Sequence, residues 1–323
     1  MTVRRALVTG GAGFIGSHVA EALASDGYEV TALDDLSTGR RVNLAPGVRF
    51  EELDIRSSEA AGLVSAGAFD VVCHLAAQID VRKSVADPVA DASRNILGTL
   101  NLLEAARQAK APPRFIFSST GGAVYGDFVD PPSDEGQPKD PESPYGIAKL
   151  ATEYYLAYYG RVHRMDVVAL RYANVYGPRQ DPHGEAGVVA IFCQRLLAGA
   201  PLTVFGDGRQ TRDYVFVGDV ARANVLAAGR TLPAPGRLDD RAFNVGTGVP
   251  TSVIELASAL QRAAGQTTTV EHAPARAGEQ QRSFVSAKKA ASKLGWAPQV
   301  SLEAGLRTTF EWFRAQATAH AAS

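Results

Sequence analysis

The chain has 323 residues, 46% of them apolar and 21% charged, and its net charge is −1 with six histidines counted neutral. That length exceeds one small core, so one large domain or two unequal lobes are expected. So even a charge balance supplies no field for nucleic acid or an anionic membrane. No apolar run nears the ~18 residues of a membrane span, and Met1–Arg5 lacks the features of a secretory signal, so a cytoplasmic protein that binds neither is expected.

Ala6-Leu7-Val8 reads as a first strand running into a glycine cluster, after which Ser17 to Ser25 has helical periodicity and Gly27 stops it. Val30–Leu33, Val48–Leu53 and Val71–Leu75 follow as strands two to four, and Pro88–Lys110 as a long helical stretch. Phe115–Ser118 and Val167–Leu170 make six strands. Continuous apolar strands alternating with helices predict a parallel sheet covered on both faces, the doubly wound α/β class, with ligands at the carboxyl ends of the strands. Between Asp127 and Pro144 the five residues Pro131, Pro132, Pro138, Pro141 and Pro144 enforce a long stiff loop. After Gly177 the pattern shortens, with Leu202–Phe205 as a strand and Ala287–Leu294 as a helix ended by Gly295 and Pro298. The expected division is a nucleotide-binding domain over 1–177, with returning segments near 213–250, and a smaller mixed α/β lobe over 178–323. Cys73 and Cys193 lie in apolar segments and read as buried thiols without a disulfide.

Thr9-Gly10-Gly11-Ala12-Gly13-Phe14-Ile15-Gly16 sits between the first strand and the first helix and satisfies Gly-x-x-Gly-x-x-Gly at Gly10, Gly13 and Gly16. Glycine is needed there because a side chain would block a pyrophosphate from the helix N-terminus. Asp34 ends the second strand, where a carboxylate accepts bonds from adenosine ribose hydroxyls and repels a 2′-phosphate; this favours NAD over NADP, with Arg40 and Arg41 nearby as the contrary signal. Asp54-Ile55 ends the third strand, either reaching the adenine or serving as an ordinary strand end.

Tyr145 and Lys149 are spaced to share one helix face, behind Ser143 as a cap and Pro144 in the first turn. A tyrosine of pKa ~10 is a weak base at neutral pH, and a neighbouring ammonium favours its phenolate. The alternative is an amphipathic helix with a solvated lysine. Thr120 ends the fifth strand, placing a hydroxyl at the cleft or merely capping the strand. No metal-ligating constellation is called for.

These motifs, with His74-Leu75-Ala76-Ala77, Asn95-Ile96-Leu97-Gly98-Thr99, Arg171-Tyr172-Ala173-Asn174-Val175-Tyr176-Gly177-Pro178, Phe205-Gly206-Asp207-Gly208, Arg212-Asp213-Tyr214 and Arg276-Ala277-Gly278-Glu279, resemble the extended short-chain dehydrogenase/reductases, and among them the UDP-sugar 4-epimerases. The resemblance implies a Rossmann-type fold and NAD-dependent 4-epimerisation of a UDP-sugar through a transient 4-keto intermediate, UDP-glucose and UDP-galactose foremost. It implies that Tyr145 moves the proton, Lys149 holds the nicotinamide ribose and Thr120 bonds the sugar hydroxyl. Gly10, Gly13, Phe14, Ile15, Gly16, Asp34, Asp54, Ile55, Leu75, Ala76, Ala77 and Asn95 would border the cofactor. Asn174 would contact sugar or diphosphate, Arg212 and Arg276 would clamp the diphosphate, Thr203 and Phe205 would line the uracil pocket, and Val188 would touch the substrate. Glu279, where many relatives carry Asp, would face the uridine ribose. A homodimer is implied, packed through the helices near Pro88–Lys110 and Tyr145–Gly160; packing of those aromatics within the monomer is the alternative.

The segment Ser118-Ser119-Thr120-Gly121-Gly122-Ala123-Val124-Tyr125-Gly126 is one residue longer than the usual family pattern. Aligned from the strand, Thr120 takes the hydroxyl place; aligned from Tyr125, Gly121 does. The strand alignment is adopted, since the strand fixes position and the glycines absorb the extra residue. Gly121-Gly122 also replace the Asp-Glu of sugar 4,6-dehydratases, which disfavours dehydration. A UDP-glucuronate 4-epimerase would want a cation near the sugar, where Arg179 could attract a carboxylate and Asp181 would repel one. A non-catalytic NAD-binding scaffold is the more distant alternative.

Overall fold

The computed structural model describes residues 3–182, 187–275 and 280–321. Strands β1 (Arg4–Thr9), β2 (Tyr28–Asp34), β3 (Arg49–Glu52), β4 (Val71–His74), β5 (Arg114–Thr120) and β6 (Val167–Tyr172) follow in chain order. Three further strands, β7 (Asn174–Tyr176), β8 (Leu202–Phe205) and β9 (Thr211–Phe216), precede β10 (Ala242–Val245). One parallel seven-stranded sheet runs in the order β10-β6-β5-β4-β1-β2-β3. The chain reverses direction of winding between β1 and β4, which opens a crevice at the carboxyl ends of those strands.

The strands are apolar on both faces because each face is covered. Ala6, Val8, Cys73, Ile116 and Val168 pack on one side with helices α1 (Phe14–Ser25) and, from later in the chain, the helix spanning Val217–Gly229. Leu7, Val72, Phe115, Phe117 and Val167 pack on the other. That side holds α2 (Ser58–Ala66), α3 (Val81–Ala86), α4 (Pro88–Ala92), α5 (Gly98–Gln108) and α6 (Pro144–His163), of which α2, α5 and α6 supply the buried apolar residues.

A separate apolar core joins β8 and β9 to α7 (Val188–Leu197), α9 (Val253–Ala264) and α11 (Leu302–Ala321), with α8 (Val217–Gly229) and α10 (Lys288–Leu294) packing on the main sheet. Short strands β11 (Pro250–Ser252), β12 (Val270–Ala273) and β13 (Arg282–Ser283) pair with β9, β8 and β9 respectively.

The expected strands, the proline-rich loop, the helix before Gly295 and the two buried thiols are all present. Three details differ. The first helix begins at Phe14 rather than Ser17. The stretch after Pro88 is interrupted by a π turn over Ser93–Leu97. The seventh strand, β10, has only the four residues Ala242–Val245, too short for a periodic signal. No helix among the described residues is long and apolar enough to cross a membrane.

Candidate active site

The glycine cluster is built for close approach. Gly10 has φ +66°, and a Cβ on it would lie 2.7 Å from the backbone nitrogen of Ala76, so a left-handed turn and a neighbouring loop both require glycine. A methyl on Gly16 would collide with the Gly10 carbonyl oxygen, whereas on Gly13 its sole neighbour within 4 Å is that same oxygen, at 3.1 Å. The side of Gly13 away from that oxygen is therefore open. Gly13 caps α1 without a side-chain bond, and the first helical bond runs from Ser17 N–H to its carbonyl at 3.1 Å. The N–H groups of Phe14, Ile15 and Gly16 thus have no intrahelical acceptor and carry the positive end of the helix dipole, a fit for a diphosphate.

Asp34 lies buried beside this turn, with Oδ2 accepting from Ala12 N–H at 3.0 Å and Oδ1 from Leu36 N–H at 2.9 Å. Burial raises its pKa against those two bonds. Each carboxylate oxygen keeps a second lone pair for a ribose hydroxyl. Arg41 is tied to Glu52 at 2.9 Å and stacked over Phe50. Asp54 is gripped by Arg56 at 2.5 Å, which holds its carboxyl below the usual range. Ile55 is buried against Gly98, and its carbonyl accepts from Asn101 at 2.8 Å.

Leu75, Ala76 and Ala77 follow β4 and abut the glycine cluster. His74 holds them there: the Thr9 hydroxyl stands 2.6 Å from Nδ1 and accepts from Ala76 N–H at 3.2 Å, while Nε2 meets the Thr99 hydroxyl at 2.9 Å. Thr99 donates its proton to the Asn95 carbonyl at 2.7 Å, so Nε2 carries the imidazole proton and Nδ1 accepts. Burial first, and the Lys149 charge second, push the His74 pKa down to about 3. Asn95 is directed inward: its side chain bonds Gln78 and Asp91 at 2.8–2.9 Å. It braces the loop after β4, so any part it plays toward a cofactor runs through that loop. The sequence motif alone could not separate these two roles.

Tyr145, Lys149 and Glu153 fall on one face of α6, whose start is capped by Ser143 accepting from Gly146 N–H at 3.1 Å. Lys149 Nζ is buried, donates to the Ser118 carbonyl at 2.8 Å, and lies 5.8 Å from the Tyr145 ring centroid. One turn on, Glu153 accepts from the Ser119 hydroxyl at 2.5 Å and from Arg171 Nη2 at 2.5 Å. The helix is thereby clamped to successive residues of β5. Thr120 is the last residue of that strand and pairs with Tyr172. A Cβ on Gly121 would lie 2.9 Å from Val285 Cγ1, so position 121 has no room for a hydroxyl-bearing side chain. A Cβ on Gly122 would lie 3.8 Å from both Thr120 Oγ1 and Asn174 Oδ1 and 3.9 Å from Ser283 Oγ. This geometry favours the strand alignment, with Thr120 and Asn174 facing one space. Ser283, from β13, is a neighbour the sequence did not single out.

Asn174, Val188, Thr203, Phe205 and Arg212 come from three strands and a helix far apart in sequence, yet all line one cavity of about 420 Å³. Gln180, Arg195, Gln210 and Tyr214 line it too; none was named as a site residue from the sequence, although Gln180 stands between Arg179 and Asp181 and Tyr214 closes the Arg212-Asp213-Tyr214 motif. Arg195 donates to Thr203 Oγ1 at 2.8 Å, and Gln210 to the Phe205 carbonyl at 3.1 Å, so each positions an expected residue. Arg276 and Glu279 lie outside the described residues. Arg179 does not reach this cavity with a spare charge: it pairs with Glu21 on α1 at 2.8 Å.

Fold and site together define a dinucleotide-binding α/β protein with a tyrosine-lysine pair at the rim of its sheet. Comparison with known proteins narrows this. The pattern of the NAD dependent epimerase/dehydratase family matches residues 6–246. A UDP-glucose 4-epimerase of Mycolicibacterium smegmatis is 47% identical over 315 residues, 96% of this chain and 98% of its own. The crystal structure of UDP-glucose 4-epimerase from Thermotoga maritima with UDP-glucose superposes with a TM-score of 0.91 at 46% identity, covering 97% of this chain and 99% of that one. The Thermus thermophilus UDP-glucose 4-epimerase in complex with NAD gives 0.88 at 46% identity, over 96% and 99%. The chain belongs to the NAD dependent epimerase/dehydratase family.

Proposed function

We propose that the protein interconverts a UDP-linked hexose with its C4 epimer using NAD, with UDP-glucose and UDP-galactose as the pair. The observation that supports this most is the clamping of the Tyr145–Lys149 face of α6 beside the end of β5, where Thr120 and Asn174 share one space. Bound NAD supplies a reversible hydride acceptor. Tyr145 takes the C4 hydroxyl proton and returns it after the sugar has turned over. The Lys149 ammonium stabilises negative charge on the phenol oxygen during that transfer, and Thr120 orients the hydroxyl. The open amides of α1 take the cofactor diphosphate, and Asp34 takes its adenosine ribose.

In the cavity, Arg212 and Asn174 bind the substrate diphosphate and sugar, while Thr203, Phe205 and Val188 enclose the base. With Arg179 occupied by Glu21, a carboxylate at C6 lacks that cation, which favours the neutral hexose over a uronate. Incubating the protein separately with UDP-glucose, UDP-N-acetylglucosamine and UDP-glucuronate tests the reading: UDP-galactose should form from the first, and the absence of every C4 epimer would defeat it.

The working form is a homodimer. Leu156 and Tyr159 turn into the core, but Ile147, Tyr154 and Val162 on α6 and Val85, Val89 and Leu97 across from it are exposed apolar surface of the kind an interface covers. Sedimentation as a monomer at micromolar concentration would refute that. Two buried, unpaired thiols suit the reducing cytoplasm.

A further inference from the structure

Ser84 lies on the short helix α3 and is completely buried. Its hydroxyl donates to the Val81 carbonyl at 2.7 Å and accepts from the Tyr145 N–H at 3.2 Å. A hydroxyl has one proton and two lone pairs, so the first bond leaves an acceptor free for the second.

That second bond completes the start of α6. Pro144 has no N–H, Gly146 N–H is capped by Ser143 at 3.1 Å, and Ile147 N–H reaches the Ser143 carbonyl at 2.9 Å. The Tyr145 N–H has no acceptor within its own first turn, and α3 supplies one. Helix α3 hangs in turn from the loop after β4. Gln78 Nε2 donates to the Asp80 carbonyl at 3.0 Å, and Gln78 Oε1 accepts from the Asp80 N–H at 2.6 Å. The Asp80 carboxylate then caps α3 by accepting from the Arg82 N–H at 2.9 Å. Asn95 holds the Gln78 N–H at 2.8 Å, and Ala76 of the same loop abuts the glycine turn. One chain of bonds thus runs from the edge of the cofactor site through α3 to the backbone of Tyr145.

Helix α6 is therefore fixed at two separate points, Tyr145 N–H on Ser84 and Lys149 Nζ on the Ser118 carbonyl. Losing the first frees the opening turn while the second keeps the ammonium in place, so the phenol drifts and the lysine does not. We propose that Ser84 is a positioning residue for the epimerisation: by holding the Tyr145 backbone it sets where the phenol stands against the sugar. This rests on the UDP-sugar reading above. Rates are steep in such placement, so a small drift is costly.

The test compares the NAD-loaded parent with Ser84→Ala and Ser84→Thr, using UDP-glucose with hydrogen or deuterium at C4. Per NAD-loaded site, Ser84→Ala should lower kcat roughly tenfold, with KM and UDP affinity within about twofold of the parent. Its deuterium effect on kcat should be no smaller than the parent's, because the step that slows is the chemical one. Ser84→Thr, which keeps a hydroxyl, should recover kcat to within about threefold of the parent. Unchanged kcat per loaded site, a deuterium effect that shrinks toward one, or a threonine variant as slow as the alanine one would overturn the proposal. So would an alanine variant that fails to fold or to retain NAD, which would make Ser84 a purely structural residue. A parent that forms no UDP-galactose would instead defeat the reading on which the proposal rests.

Discussion

Replacing His74 by asparagine isolates one buried imidazole that ties the glycine turn to the loop after β4. In the folded protein burial holds its pKa down to about 3, against an ordinary 6.5. Below 6.5 the unfolded chain takes up a proton that the folded imidazole refuses, so each step downward in pH favours unfolding. The contribution is absent above 6.5, grows as pH falls, and stops growing near 3. At pH 5 it amounts to about 2 kcal/mol, and carried down to pH 3 it approaches ~5 kcal/mol. His18, also depressed mainly by burial, acts in the same direction but is common to both proteins. Asparagine retains an acceptor for Thr9 and does not titrate. Urea unfolding at pH 8 and pH 5 should therefore show the parent losing about 2 kcal/mol more over that interval than His74→Asn. Equal losses would mean that His74 protonates normally in the folded state, and the proposed tautomer and its bracing of the turn would be wrong.

Tyr145→Phe should lower turnover by roughly 10²- to 10⁴-fold with UDP affinity unchanged, checked by initial rates and calorimetry. Gly16→Ala should drive α1 away from the Gly10 carbonyl and strip cofactor, read as a fall in bound NAD after gel filtration. Glu153→Ala leaves the fully buried Arg171 guanidinium with Asp239 as its remaining carboxylate at 2.8 Å. Breaking such a pair costs about 3–5 kcal/mol, so the melting temperature should drop sharply.

The sheet was legible because its strands are buried on both faces: a run such as Val71-Val72-Cys73 has no polar alternation and admits few other readings. The glycine cluster and the Tyr145–Lys149 spacing were legible because both depend on local geometry. β10 was not, since its four residues join the sheet only through pairing with β6, a contact set by the whole fold. The same limit hid Arg195 and Ser283. Each acts through where its neighbours put it, and nothing in the side chain's own sequence surroundings marks that. Asn95 and Asp54 show the converse. Their motif positions were clear, but the partners that occupy them, Gln78 with Asp91 and Arg56, became visible only in three dimensions.

The sharpest test follows the hydrogen at C4. Given UDP-glucose deuterated at that carbon, the protein should yield UDP-galactose that keeps the deuterium at C4 through many turnovers in ordinary water, as seen by NMR, because hydride leaves and returns to the same carbon within one closed site. Loss of the label to solvent, or no galactose epimer at all, would contradict the account.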